Sequence, residues 1–131
     1  METLSVTTRS RTELLDITGQ IQDLIKKNKW QGGVLTVFVP HTTAGVTINE
    51  NADPSVRRDI TKQLSEIAPV DAGYTHSEGN SDGHVKSSLV GCSLNVIVEN
   101  GAMALGTWQG IFLCEFDGPR TRTVLIKILT G

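Results

Sequence analysis

The period of the apolar positions changes several times along the chain, and each change marks an element. Leu4, Val6 and Thr8 alternate with Ser5 and Thr7, and after Arg9-Ser10-Arg11 the run Glu13-Leu14-Leu15-Asp16-Ile17 resumes an extended pattern, which predicts a hairpin. Ile17, Ile21, Leu24 and Ile25 then recur at helical spacing. Asp16 and Thr18 suit the start of that helix, and Lys26, Lys27 and Lys29 suit its negative end. Gly32-Gly33 stops it. Residues 34–39, Val-Leu-Thr-Val-Phe-Val, are apolar at both parities and predict a central strand covered on both faces.

Asp53-Pro54 supplies the cap and first position of a second helix, with Val56, Ile60, Leu64 and Ile67 as its apolar stripe and Pro69 as its stop. Residues 71–83 are rich in Gly, Ser, Asn and acid and read as a loop. A short helix is expected over 84–90, with Asp82 near its start and Gly91 at its end. Leu94, Val96 and Val98 alternate in a strand that closes on Asn100-Gly101, a hairpin signal. Along 111–117, Phe112, Cys114 and Phe116 fall on one face and Ile111, Leu113, Glu115 and Asp117 on the other. Asp117-Gly118-Pro119 demands a turn, across which the last strand, 123–129, is expected to return and pair.

Strands outnumber helices and the two are intermixed, so the class is α+β: one compact domain with a mixed, largely antiparallel sheet and two to three helices. A length of 131 residues suits one such domain. With 12 basic and 14 acidic residues the net charge is −2, which gives no footprint for nucleic acid or an anionic membrane. Nor is any apolar run long enough to span a bilayer, and no leader-like segment opens the chain, so a soluble cytoplasmic protein is expected. Cys92 and Cys114 sit in apolar, strand-like settings and read as buried free thiols in a reducing compartment. Abundant strand edges favour self-association.

The candidate chemistry gathers where strands end. His41, His76 and His84 all lie at strand ends or in loops, and a fold that collects loops at one sheet edge would converge them. Three imidazoles with an open position suit zinc, and a carboxylate from Glu50, Glu115 or Asp117 would shift the preference to magnesium or manganese. Their spacing matches no local metal motif, and each histidine also has a plain structural or exposed reading. Thr42 and Thr43, with Gly45, let hydroxyls and backbone N–H groups approach an anion, or simply cap their own loop. Asp53 reads as a helix cap alone, whereas Glu50 lies between apolar Ile48 and that cap. Trp108 and Gln109 suit stacking on a flat heterocycle, although Trp108 equally suits a core or subunit interface. Arg120 and Arg122 either clamp phosphate oxygens or pair with Glu115 and Asp117. Lys86 is solvated or adds a cation to the pocket.

His41-Thr42-Thr43-Ala44-Gly45, Asn49-Glu50-Asn51-Ala52-Asp53-Pro54, Glu78-Gly79-Asn80 with His84-Val85-Lys86-Ser87-Ser88-Leu89, Gly106-Thr107-Trp108-Gln109 and Glu115-Phe116-Asp117-Gly118-Pro119-Arg120 strongly resemble the YjbQ-like family, labelled secondary thiamine-phosphate synthase. The resemblance spans essentially the whole chain, and Gly-Thr-Trp-Gln is its most distinctive element. It implies an α+β homotrimer with pockets near subunit boundaries. It also implies a reaction joining a pyrimidine diphosphate to a thiazole phosphate with release of pyrophosphate, which needs cations at the leaving group and a water-poor site. The expectation is a metal-assisted enzyme acting on a phosphorylated small molecule, with zinc or magnesium held by His41, His76 and His84. Catalytic work falls to His41, Glu50, His84 and Glu115, and substrate binding to Thr42, Thr43, Lys86, Gln109 and Arg120. Two alternatives stand beside it: a metal-dependent hydrolase of a small phosphorylated metabolite, and a non-catalytic metal- or anion-binding protein.

Overall fold

Eight strands and three helices alternate along residues 1–131, all of which are described by the computed structural model. The chain runs β1 (Glu2–Thr7), β2 (Glu13–Asp16), α1 (Thr18–Lys27), β3 (Gly33–Phe38), β4 (Ala44–Glu50), α2 (Pro54–Ile67), α3 (Ser81–Val90), β5 (Ser93–Glu99), β6 (Ala102–Met103), β7 (Gln109–Glu115) and β8 (Thr121–Leu129). It is an α+β fold with antiparallel pairing throughout, but with two sheets instead of one: β1-β8-β3-β5-β6 and β2-β7-β4.

The sheets pack face to face with α1 closing the gap. Ile21 and Ile25 of α1, with Ile17 at its N-cap, join Leu35, Val37, Val96, Val98, Val124 and Ile126 of the large sheet and Val46, Ile111 and Leu113 of the small one in a single core. On the outer side of the small sheet, Phe112, Cys114, Phe116 and Leu14 form a second core beneath Ile60 and Leu64 of α2 and Val90 of α3. The alternation of β7 therefore feeds two cores, one from each face, as its period-2 pattern predicts. Ile67 is left 59% exposed, so the stripe of α2 is shorter than its sequence suggests.

Two expected hairpins are corners. β1 and β2 lie in different sheets, as do β7 and β8, so residues 8–12 and 116–120 each carry the chain from one sheet to the other. The two corners cross and bond: the Thr8 N–H donates to the Arg120 carbonyl at 2.8 Å, and the Gly118 N–H to that of Arg11 at 3.0 Å. An alternation pattern marks a strand and its faces but not its partner, which is why each pair reads as a hairpin. The hairpin at Asn100-Gly101 is real, with both residues at positive φ (51° and 75°) between β5 and β6.

β3 is central in its sheet, between β8 and β5, but only one of its faces is covered. Leu35 and Val37 are buried, while Val34 and Phe38 point outward beside Ile97 and Leu129. That apolar outer face explains the both-parity pattern of residues 34–39. α3 starts at Ser81, three residues before the expected start, and its buried side is polar: Ser81, Asp82, Lys86 and Ser87 face inward. No helix is long and apolar enough to cross a membrane.

Candidate functional site

The corner between the sheets is built on charge. Arg122, 2% exposed, donates from Nε to Oε2 of fully buried Glu115 at 2.8 Å and from Nη2 to Oε1. The same Nη2 donates to the Thr43 hydroxyl at 2.9 Å and the Thr43 carbonyl at 3.1 Å. Glu115 also accepts from the Thr8 hydroxyl and from the Asp117 N–H, both at 2.9 Å. Burial alone would raise the Glu115 pKa, but these donors outweigh it and hold the carboxyl below its ordinary range. Glu115 is thus saturated and sealed, and the catalytic role expected of it is corrected: it fixes Arg122, which fixes the loop after β3.

That loop carries His41. Its Nε2 accepts the Thr123 N–H at 2.9 Å, so the proton of the neutral ring sits on Nδ1. Burial and the nearby Arg122 charge lower the His41 pKa from 6.5, which favours this neutral form. The ring then has no free lone pair for a metal, and His41 is a hydrogen-bond donor in this arrangement.

His41 and Thr42 line two adjoining recesses. One, of about 480 Å³, is completed by Phe38, Cys92, Arg120 and the edge of Arg122. The other, of about 520 Å³, extends past Cys92 to His84, Ser87 and Ser88. His84 in turn borders a third recess with His76, whose ring centroid lies 5.6 Å from its own in an edge contact. The three histidines therefore share one groove but do not meet at one point. No three His, Cys, Asp or Glu side chains of one chain are arranged to hold a metal, so of the two arrangements open to the histidines, within one chain or across a subunit boundary, convergence within one chain is not the one seen. Besides His84, His76 has Glu78 beside it, at 3.6 Å on the surface.

α3 supplies the far wall because it is clamped to the sheet corner. The Ser87 hydroxyl donates to the Ala44 carbonyl at 2.8 Å, and Arg11 reaches Asp82 at 3.0 Å. Gly83 permits the close approach, since a Cβ there would lie 2.9 Å from the Phe116 carbonyl oxygen. Lys86, 1% exposed, donates to Asp82 at 3.1 Å, so it is internal to this clamp and corrected from substrate binder to structural cation. Arg120 is half-exposed at the mouth of the first recess. Asp117 orients it, accepting from Nη2 at 3.0 Å while also accepting from the Asn80 amide at 2.9 Å.

Glu50 and Gln109 are paired opposite each other at the far end of the small sheet. β4 separates Glu50 from the His41 loop by seven residues, or about 20 Å at ~3.3 Å per residue. Neither borders the groove of its own chain, and the Gln109 side chain accepts the Gly106 N–H at 2.8 Å. Trp108 beside them is 62% exposed. Cys92 is the residue that sequence reasoning missed: it is exposed in the groove, not buried. The signal was its place directly before β5, because antiparallel pairing of Phe38 with Ser93 sets the start of β5 beside the end of β3.

A family profile of UPF0047 YjbQ-like proteins matches residues 2–131. The chain belongs to that family. It is 55% identical over 124 residues to the UPF0047 protein MJ1081 of Methanocaldococcus jannaschii, covering 95% of this chain and 90% of that one. To YugU of Bacillus subtilis it is 48% identical over 130 residues, covering 98% of each chain. A crystal structure of a YjbQ/UPF0047 family protein from Clostridium acetobutylicum superposes with a TM-score of 0.95 at 47% identity, over 98% of this chain and 100% of that one. The hypothetical protein APE1520 of Aeropyrum pernix K1 gives 0.94 at 36% identity, over the full length of both. The two-sheet architecture with its crossed corners is thus a YjbQ-like fold.

Proposed function

We propose that the groove at His41 is the active site of an enzyme acting on a phosphorylated small molecule, with transfer of the thiamine-phosphate synthase type as its reaction. One observation supports this reading above the others: the two recesses at His41 are lined by arginine, histidine, hydroxyl and thiol groups and by no carboxylate. Such a lining attracts anionic oxygens and repels nothing on a phosphate.

The roles follow from the geometry. Arg120, held by Asp117, presents its outer edge to a phosphate or diphosphate. Thr42 offers its hydroxyl and backbone groups at the same mouth, while buried Thr43, whose hydroxyl and carbonyl accept from Arg122, holds the loop in place. His41 donates from Nδ1 to an oxygen that gains charge as diphosphate departs, and its neutral form is what burial and Arg122 favour. The Glu115–Arg122 pair holds both ends of this arrangement by bonding the Thr43 loop to β8. One copy of the chain gathers no three such side chains to hold a metal, and magnesium brought with the diphosphate would be held mainly by the substrate's own oxygens. A centre at His76 and His84 requires further ligands from a second copy.

A homotrimer accords with the outer face of the large sheet, where Val34, Phe38, Ile97 and Leu129 are exposed together. Phe38 belongs both to that face and to the first recess, so a subunit seated there would border the site. The test is formation of thiamine phosphate and pyrophosphate from the pyrimidine diphosphate and thiazole phosphate, with and without magnesium. Turnover by the wild type that is lost in His41→Phe and Arg120→Gln supports the reading. Undiminished turnover in both variants, or none in the wild type, overturns it.

A further inference from the structure

We propose that the protein has a second anion site, outside the His41 groove, that takes the phosphate group of a small phosphorylated molecule and is centred on Arg57. The site is a recess of about 390 Å³ between β2 and α2, and it shares no residue with the groove.

Helical spacing builds it. Arg57, Thr61 and Ser65 follow one another at four-residue steps along α2, and Arg58 and Lys62 form a parallel row beside them, so cations and hydroxyls line one side of the recess. Arg57 is the anchor. Its guanidinium carbon lies 5.1 Å from the centroid of the fully buried Phe112 ring, which fixes a side chain that would otherwise be mobile. Its Nε is buried without a hydrogen-bond partner, and neither Arg57 nor Arg58 takes part in any ion pair of the chain.

A fixed guanidinium with an unmet buried donor is unusual, because buried donors normally find acceptors. The one carboxylate on the recess does not supply it: Glu13 Oε2 already accepts the Arg9 and Ser10 N–H groups, at 2.6 and 2.8 Å. Lys62 is the only cation of the three within salt-bridge distance of a carboxylate, a surface contact to Glu66 at 3.9 Å, and Arg58 lies in the field of the exposed Asp53 carboxylate. An incoming phosphate would meet the two Nη groups of Arg57, which unlike the buried Nε are open to solvent and for which paired N–H···O bonds are the natural geometry, with Arg58 and Lys62 adding charge. The patch is one recess wide on a chain of net charge −2, which favours a small ligand over an extended polyanion.

The experiment is an amide-shift titration of the full-length protein by NMR, using inorganic phosphate and then glycerol phosphate. Saturable shifts over residues 12–14 and 57–65 are expected, and they persist in Arg120→Gln. Arg57→Gln should weaken that binding by roughly tenfold or more, as loss of a charge-assisted fork implies. Arg57→Lys keeps the charge over Phe112 but not the fork and should fall between. If Arg57→Gln does not fold, Lys62→Gln and Arg57→Lys read the same site with a smaller loss. Shifts confined to the His41 groove, absence of saturation, or wild-type affinity in the Arg57 variants overturns the proposal. A short single-stranded RNA that binds these residues more tightly than glycerol phosphate overturns its assignment to a small molecule.

Discussion

Glu115 and Arg122 form a buried two-pronged ion pair at the point where the chain passes from the small sheet to the large one, and its spare donor holds Thr43. The reactive-looking residues of the last two strands thereby serve the loop that precedes β4. The pair ties three segments together: the end of β7, the start of β8 and the His41 loop.

Breaking the pair from the acidic side strands a buried cation. Glu115→Ala should cost about 3–5 kcal/mol of stability, the range for an uncompensated buried charge, as read by urea denaturation. The carboxyl is held below its ordinary range when folded, so its contribution is present above the unfolded value and is lost as pH falls through the folded one. Wild-type stability should therefore decline in acid below about pH 4.5, and Glu115→Gln, already weakened, should decline less over that window.

His41 should titrate below 6.5, because burial and the Arg122 charge oppose its protonation. Protonation also removes the Nε2 acceptor of the Thr123 N–H, so the Thr123 amide shift should move with the His41 ring in an NMR titration. Neutral His41 is favoured above its lowered value and lost as pH falls through it, and catalysis that uses it should fall on the same acid limb. A His41 midpoint above 7 contradicts this.

The two thiols should differ sharply. Cys92 is exposed in the groove, while burial pushes the Cys114 thiol up to about 12 and seals it in the second core. A thiol reagent at neutral pH should label one cysteine in the folded protein and both after unfolding, and Cys92→Ser should abolish the folded-state reaction. Mass spectrometry of the labelled chain decides it.

Much of this fold was legible from periodicity. α1 and α2, the Asp53 cap that accepts the Ser55 N–H at 2.9 Å, and the two faces of β7 all follow from local patterns and cap chemistry. Partnership was not legible. Alternation in β1, β2, β7 and β8 is the same whether neighbours form hairpins or cross between sheets, and only the buried polar pair at Glu115 and Arg122 distinguishes the two. The site followed the same division. His41, Thr42 and Arg120, read as candidates from strand ends and turns, do line the groove, because those ends meet at one corner of the fold. Lys86 was not legible in the same way: two residues after His84 it reads as solvated or as a cation for the pocket, and it is instead buried against Asp82 one helical turn earlier.

That last pair makes its own prediction. Asp82→Asn leaves the Lys86 ammonium buried beside a neutral amide and also frees Arg11, so it should destabilise by about 3–5 kcal/mol. Lys86→Met removes the charge with similar volume and should cost less. Urea melts of the two variants give the order, and a larger loss for Lys86→Met contradicts the clamp described for α3.

The central claim, that the carboxylate-free groove at His41 and Arg120 receives phosphate groups, is tested most directly through Cys92, which lines both of its recesses. The measurement is the rate of Cys92 alkylation as pyrophosphate is added. The account predicts saturable protection in the wild type and loss of that protection in Arg120→Gln; an alkylation rate indifferent to pyrophosphate in the wild type, or equal protection in the variant, would contradict it.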